Sequence, residues 1–367
     1  MMRVAIFGSG HIGEAITALL SQSGRYEVIV CDMDRSRAQH VAARFKNTQA
    51  EILDLTSADS TMGILARCSA VISALPYYCN TQVAELAVKA RVHYFDLTED
   101  VETTKKVVAL AAGAGSALMP QCGLAPGFIS IAAFHLSTLL DTVDSLKLRV
   151  GALPIFPSNR LKYNLTWSTE GLINEYGNLC EAIDDGKPRL LMPLEGLETF
   201  VIDGELFEAF NTSGGLGTLA DTLKGRVRNL DYKTIRYQGH RDLIAFLMQD
   251  LGFNSDRATL KRVFERSIPT TPQDKVVIRS EVSGHKHGVL TQKTYASTVY
   301  NANVQGTHLS AIQITTAAGV CAPLDLLLTG SLRGRTGFVK CEEIPLLDFL
   351  ENGFGKLYRD DKALSGL

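Results

Sequence analysis

The stretch RVAIFGSGHIGEAITALLSQS, Arg3 to Ser23, leaves this chain few ways to fold. Arg3 to Phe7 is a short apolar run rich in β-branched residues, and from Glu14 onward apolar residues recur at helical spacing. Between them Gly8, Gly10 and Gly13 fit G-x-G-x-x-G. The first glycine of that pattern permits a tight strand-to-helix turn. The second lets a pyrophosphate approach the backbone, and the third lets helix and strand pack closely. The free N–H groups at the helix start then stabilise phosphate charge. Gly8, Gly10, His11, Ile12 and Gly13 are therefore candidates to bind a dinucleotide.

The next segments repeat the theme. YEVIVCD (Tyr26 to Asp32), AEILDL (Ala50 to Leu55), SAVISALP (Ser69 to Pro76), VHYFDL (Val92 to Leu97) and SALMPQCGL (Ser116 to Leu124) read as strands. Helical patterns separate them: RSRAQHVAARF, a stretch ending at Arg67, TQVAELAVKAR, and a run through Lys105 to Gly113. Alternation of this kind predicts an α/β fold, a Rossmann-type doubly wound parallel sheet, over residues 1–122. After Pro126 β-type segments dominate: DSLKLRVGALP, ETFVIDGELFEAF, DYKTIRYQG, and KVVIRSEVSGH with GVLTQKTYASTVYN flanking a GHKHG turn. Residues 123–307 are expected to form a second α+β domain with a large mixed or antiparallel sheet, which binds substrate and forms the dimer contact. Helical segments around Ser310 to Leu328 and Pro345 to Asn352 are expected to pack back, within 308–358, on the first domain. RDDKALSGL reads as a polar tail.

Bulk properties exclude several function classes. The 367 residues are 46% hydrophobic, enough for a sizeable core, and the net charge is −2 with both signs interspersed. No basic stripe points to nucleic acid and no polybasic cluster to a membrane surface. The sequence shows no apolar run of roughly 18 residues, so no membrane span is expected. The N-terminus lacks a signal-peptide pattern, which favours the cytoplasm. The seven cysteines, none at CxxC spacing, argue against a disulfide framework and against a metal site. Cys122 stands out only because it precedes a Gly/Pro-rich loop.

Asp32 ends the second strand about 20 residues after the glycines, where an acid accepts hydrogen bonds from the adenosine ribose and repels a 2′-phosphate. NAD is therefore the expected cofactor, although Arg35 and Arg37 close behind are residues that a 2′-phosphate would use. Ser73, Ala74, Leu75 and Pro76, at a strand end, are expected to run along the cofactor.

Seven pieces in order carry a family resemblance: GSGHIG, SALPYY (Ser73 to Tyr78), YFDL (Tyr94 to Leu97), CGLAPGF (Cys122 to Phe128), KYNLTWSTEGL (Lys162 to Leu172), EAFNTSGG (Glu208 to Gly215) and YKTIRYQGH (Tyr232 to His240). The chain resembles the saccharopine dehydrogenase-like reductases, and within them the lysine 6-dehydrogenases. The resemblance implies a homodimer, a cofactor contact at Leu124, and a small-molecule amino acid substrate. It also implies NAD-dependent oxidative deamination of the ε-amine of L-lysine to 2-aminoadipate 6-semialdehyde, which cyclises, with release of ammonia. The alternatives are a saccharopine or carboxyalkyl-polyamine dehydrogenase and, from another class, a non-catalytic dinucleotide-binding sensor.

A lysine ε-amine arrives protonated, so a site for it must hold a cation and help remove a proton. Asp96, ending a strand, is the first candidate for base or ammonium partner; its alternative is a helix N-cap near Glu99. His240 is a second candidate proton carrier, or a loop residue. Tyr77 and Tyr78 are expected at a strand end, walling the nicotinamide or the core. In TIRYQG, alternation puts Ile235 and Tyr237 on one face and Thr234, Arg236 and Gln238 on the other, and Arg236 is a candidate carboxylate clamp. Thr212 and Ser213 offer hydroxyls and backbone N–H groups. Glu170 is expected to face a substrate ammonium and to repel saccharopine's extra carboxylates. Its alternative is a first-turn acid of a helix capped by Ser168 or Thr169.

Overall fold

The structure, a computed structural model, describes residues 1–304 and 306–359. From Asp360 on, the expected polar tail lies outside them. Two compact units divide the chain: Met1–Phe128 with Asn303–Thr307 and Gln313–Leu357, and Ile129–Ala302 with His308–Ile312 and the chain end from Tyr358.

In the first unit β1 (Met2–Phe7), β2 (Tyr26–Asp32), β3 (Thr48–Ile52), β4 (Ala70–Ser73), β5 (His93–Asp96) and β6 (Ala117–Met119) alternate with α1 (His11–Gln22), α2 (Arg35–Ala42), α3 (Ala58–Leu65), α4 (Tyr77–Ala90) and α5 (Val101–Leu110). The sheet order β6-β5-β4-β1-β2-β3 is all parallel, with a short β17 (Gly337–Phe338) added beside β6. Ala5, Phe7, Ile29, Val71, Tyr94 and Leu118 pack against Leu65, Val83, Ala87 and Val107 of the helices. Val4, Ile6, Val28 and Val30, on the opposite face, are equally buried. Strands buried on both sides read as continuous apolar runs, as β4 does.

One expectation about this unit changes. The helix α11 (Ala311–Thr329) is long and apolar enough to cross a membrane by length and composition, but 83% of its apolar window is buried inside the protein. Asp325 within it accepts from the Tyr26 hydroxyl at 2.5 Å and from Asn352 Nδ2 at 2.7 Å, and pairs with Arg25 at 2.8 Å. A helix enclosed on all sides loses the polar stripe by which a surface helix is recognised.

The second unit centres on β7 (Thr142–Pro154), parallel to β12 (Val227–Tyr237) and antiparallel to β13 (Asp274–Lys286). The full order is β10-β11-β12-β7-β13-β14, with β10 (Glu198–Ile202), β11 (Glu205–Asn211) and β14 (Val289–Tyr300); β8 (Cys180–Asp184) pairs with β12 and with β9 (Lys187–Leu191). ETFVIDGELFEAF is a hairpin, turning at Asp203 and Gly204, both at positive φ. His287 and Gly288, also at positive φ, make the two-residue turn between β13 and β14. Between the strands lie α6 (Phe128–Thr138), α7 (Thr169–Gly177), α8 (Leu219–Leu223), α9 (His240–Ala245) and α10 (Arg257–Ser267). The sequence reading passed over all of these except α7, the helix given as the alternative place for Glu170. In FISIAAFHLST of α6 Ser130 and Ser137 are buried along with the apolar residues, so polar and apolar positions do not sort onto two faces and the 3.6-residue signal is weak.

Candidate functional site

The glycine turn of the first unit is built from three different constraints. Gly8 has φ +102°, and a Cβ there would meet the Ala74 carbonyl oxygen at 2.7 Å. A Cβ on Gly13 would lie 1.9 Å from the Gly8 carbonyl oxygen, so only glycine lets α1 press onto β1. Gly10 is different: a Cβ there would meet nothing within 4 Å. The protein's own packing does not demand glycine at that point, whereas close approach by a ligand does. Gly10 is also the N-cap of α1 and supplies no side-chain cap, so the first N–H groups of the helix, including those of His11 and Ile12, lack an intrahelical partner. This cradle fits a dinucleotide pyrophosphate.

Asp32 closes the same site. Its Oδ2 accepts from the Ser9 N–H at 2.8 Å and from the Ser9 hydroxyl at 2.7 Å, and its Oδ1 accepts from the Asp34 N–H at 3.0 Å. Partial burial works to raise the carboxyl, but these donors outweigh it and hold Asp32 below the usual carboxylate range. Arg37 leans toward Asp34 at 3.6 Å, and Arg35 is exposed. Beside the turn, the Ala74 N–H donates to Phe7 O at 2.8 Å, and the Ser73 hydroxyl donates to Asn80 Oδ1 at 2.7 Å. Leu75 is half-buried and Pro76 exposed, at the N-cap of α4. Leu124 is buried in the loop after β6, where Gly123 N–H bonds Pro126 O at 3.1 Å.

Two expected positions shift in this unit. Tyr77 and Tyr78 do not end a strand; they are the first residues of α4, and Tyr78 is 68% exposed. The strand has already ended at Ser73, and the helix begins directly after Pro76, its N-cap. Asp96 ends β5 as expected but is 0% exposed. Its Oδ1 accepts from the backbone N–H of Thr98 at 3.1 Å and of Gln121 at 2.9 Å, and its Oδ2 accepts from the Tyr94 hydroxyl at 2.7 Å. Burial is the largest influence and pushes the carboxyl to about 6 against those three donors. It is not the helix cap: Asp100 caps α5, accepting from the Thr103 N–H at 2.7 Å. Cys122 is a buried thiol 3.5 Å from the sulfur of Cys341, and burial pushes the Cys122 thiol up. Among the described residues, no group of three or more His, Cys, Asp or Glu is placed to hold a metal ion.

The second unit gathers its polar residues around one buried cation. Arg236 is 2% exposed and lies on the β12 face opposite Ile235 and Tyr237, which pack with Phe207 and Ala209. Its Nε donates to the Tyr176 hydroxyl at 3.0 Å, and its Nη1 donates to Thr234 Oγ1 and Ile235 O, each at 2.9 Å. The rings of Tyr163 and Tyr176 lie 5.1 and 5.8 Å from the guanidinium carbon. No carboxylate of the described residues reaches ion-pair distance; Glu175 acts from farther away. Burial works against the charge, but Tyr176, Tyr163 and Glu175 outweigh it and keep Arg236 firmly protonated.

His240, 1% exposed, is enclosed in the same cluster. Its Nε2 meets the Tyr176 hydroxyl and its Nδ1 the Leu161 carbonyl, both at 2.9 Å. Burial and the charge of Arg236 push the imidazole down to about 3, with the bond to Leu161 opposing them. An exchange of protons near neutral pH, expected for a proton carrier, does not suit that environment.

Glu170 is where the expected picture changes most. It sits in the first turn of α7, whose N-cap Ser168 accepts from the Gly171 N–H at 3.2 Å. The carboxylate pairs with Lys261 of α10 at 3.1 Å, and its side chain is 44% exposed. The carboxylate thus has a cationic partner within the second unit. From the same KYNLTWSTEGL run, the Tyr163 hydroxyl is buried beside Thr166 and Trp167, and Asn164 Oδ1 is buried without a hydrogen-bond partner, as is Thr212 Oγ1. Ser213 is tied to α7, its N–H donating to Glu175 O at 3.1 Å and its hydroxyl to Asn174 O at 3.2 Å. Sequence reasoning missed Tyr176 and Glu208. Tyr176, four residues after Leu172, reads as an ordinary core aromatic. Glu208 is buried, opposite Arg236 in the β11–β12 register, and holds the start of α9 by accepting from Gly239 N–H at 2.8 Å and Arg241 N–H at 2.6 Å.

The chain is similar to known proteins over both of its halves. Residues 4–119 match the saccharopine dehydrogenase NADP binding domain and residues 123–357 the saccharopine dehydrogenase C-terminal domain. A saccharopine dehydrogenase (NADP+, L-glutamate-forming) from Pyricularia oryzae is 22% identical over 304 residues, covering 78% of this chain and 65% of that protein. Its namesake from Schizosaccharomyces pombe is 22% identical over 294 residues, 76% of this chain and 64% of that protein. The chain thus spans just under two thirds of these curated relatives. The fold matches that of apo saccharopine dehydrogenase (L-Glu forming) from Saccharomyces cerevisiae with TM-score 0.78 at 18% identity, covering 93% of this chain and 94% of the other. With both of its halves matched in order, the chain belongs to the saccharopine dehydrogenase family.

Proposed function

We propose that the protein is a nicotinamide-dinucleotide-dependent oxidoreductase acting at a C–N bond of an amino acid, of the saccharopine type. The observation that carries this reading is the buried Arg236, a fixed cation with no ion-paired carboxylate of its own among the described residues. With Nε and Nη1 already donating within the protein, Nη2 is left to donate to a carboxylate, and burial strengthens the attraction of the two charges. The hydroxyl of Thr212, buried without a partner, supplies a further donor for such an anion. The dinucleotide supplies the hydride acceptor or donor. Gly10 and the first N–H groups of α1 support the pyrophosphate, and the ionised Asp32 supports NAD(H), since its charge opposes a 2′-phosphate.

A substrate bearing more than one carboxylate, such as the secondary amine saccharopine, is favoured over lysine. The argument for lysine rests on a free Glu170 charge, and Lys261 takes up that charge. The test is reduction of NAD and NADP in parallel with saccharopine, lysine and ornithine. Turnover of saccharopine with NAD is the expected result. Turnover of lysine alone would overturn the substrate assignment, NADP alone the cofactor assignment, and dinucleotide binding without turnover of any amine the assignment as an enzyme.

A further inference from the structure

His240 is spent entirely on holding its neighbours. A carbonyl oxygen only accepts, so the bond to Leu161 O places the imidazole proton on Nδ1 and leaves Nε2 as an acceptor. The Tyr176 hydroxyl therefore donates to Nε2, and its oxygen is left to accept from Arg236 Nε. The chain of donors runs in one direction, from guanidinium to phenol to imidazole to carbonyl. Tyr163 lies 5.4 Å from the imidazole ring and Phe210 stacks on it at 6.3 Å, and among the described residues Arg236 is the charged group that acts on it. Glu208 anchors the start of α9 from the sheet face that carries Arg236, which fixes where the imidazole stands.

We infer that His240 is a positioning residue: by accepting from Tyr176 it orients the phenol oxygen that holds Arg236 Nε, and so aims the remaining edge of the guanidinium at a substrate carboxylate. Nη1 is tied to Thr234 and Ile235, and Nε to Tyr176, which leaves Nη2 as the guanidinium nitrogen with no hydrogen bond among the described residues. If His240 instead presented an N–H at Nε2, the Tyr176 hydroxyl would have to turn toward Arg236, placing its proton against a cation. A neutral imidazole of fixed tautomer prevents that. This assignment rests on Arg236 as the carboxylate anchor, but its first test does not.

Nitrogen-15 NMR of the full chain reads the arrangement directly. His240 is expected as the Nδ1–H tautomer, without titration from pH 8 to pH 5, and Arg236 Nε–H as a slowly exchanging resonance. In His240→Gln, whose amide oxygen can accept from Tyr176, the Arg236 resonance persists; in His240→Leu it is lost. Kinetics with a carboxylate-bearing substrate form the second arm. His240→Leu is expected to raise KM about tenfold to a hundredfold with kcat changed far less, and His240→Gln to restore most of it, in line with loss of a hydrogen bond supporting a charged group. An Nε2–H tautomer, titration near neutrality, or an unmoved Arg236 resonance in His240→Leu would overturn the assignment. Equal loss of kcat in both variants would make His240 a proton carrier instead. Absence of turnover in the wild type overturns the proposed function and leaves the NMR arm to decide the positioning role.

Discussion

At the glycine turn the first N–H groups of α1 lack an intrahelical partner and a space is left open beside Gly10; around Arg236 a buried charge is left without an ion pair among the described residues. The first site offers room and fixed N–H dipoles to a ligand that brings its own charge. The second offers charge and donors, held by aromatic walls. A dinucleotide is large and largely solvated, so shape and a few dipoles suffice for it. A small anionic group needs a desolvated partner.

The largest expected effect separates charge from stability at the second site. Arg236→Met should lower kcat/KM for a carboxylate-bearing substrate by about 2–5 kcal/mol, the range for leaving an anion unpaired. Its stability should fall by less, about 1–3 kcal/mol, because the acceptors on Tyr176, Thr234 and Ile235 lose their donor while a desolvated charge is removed. A Tm that falls in step with activity would break the comparison and make Arg236 structural. The glycines provide the counterpart. Gly13→Ala should cost about 2–4 kcal/mol of stability through the clash with the Gly8 carbonyl. Gly10→Ala should leave denaturant unfolding within about 0.5 kcal/mol of wild type while weakening dinucleotide binding measured by fluorescence. Equal stability losses would remove the distinction between a packing glycine and a ligand glycine.

Asp96 offers a sharper test of what burial does. Its folded value of about 6 lies above the ordinary aspartate value of about 3.9, so between those pH values only the folded state holds the proton. Its contribution to stability is therefore present below about pH 4 and is lost as pH rises through about 6, a change of about 2–3 kcal/mol. Asp96→Asn should remove that slope in urea unfolding measured from pH 4 to 7. Its carbonyl can still accept from Thr98 and Gln121, and its amide can donate to Tyr94. The smallest effect is expected at Glu170→Gln: a half-exposed pair with Lys261 should change stability by no more than about 0.5 kcal/mol and leave KM unaltered. A raised KM for lysine would restore the substrate-facing reading.

Much of the first unit was legible because its signals are local. A strand, three glycines and a helix follow one another within Met2–Gln22, and the acid of β2 lies one crossover away. The second unit was legible as sheet but not as site. Alternation in TIRYQG correctly divides Ile235 and Tyr237 from Arg236, yet nothing in that segment announces Tyr163, Tyr176 or His240 as its neighbours. Those contacts join positions 60 or more residues apart in the case of Tyr176. Glu170 and Glu175 show the same limit within one helix. Both are acids of α7, but one pairs with Lys261 near solvent while the other is buried near Arg236.

By itself, then, the sequence determined the parallel sheet, the dinucleotide turn and the order of the family's motifs, because backbone conformation and apolar period are set by residues close in the chain. Tertiary structure alone decided which charges are spent and which remain available. Desolvation and the direction of a hydrogen bond depend on what packs around a group, and for Arg236, His240, Asp96 and Glu170 part of that surrounding comes from distant positions: Tyr176, Leu161, Gln121 and Lys261.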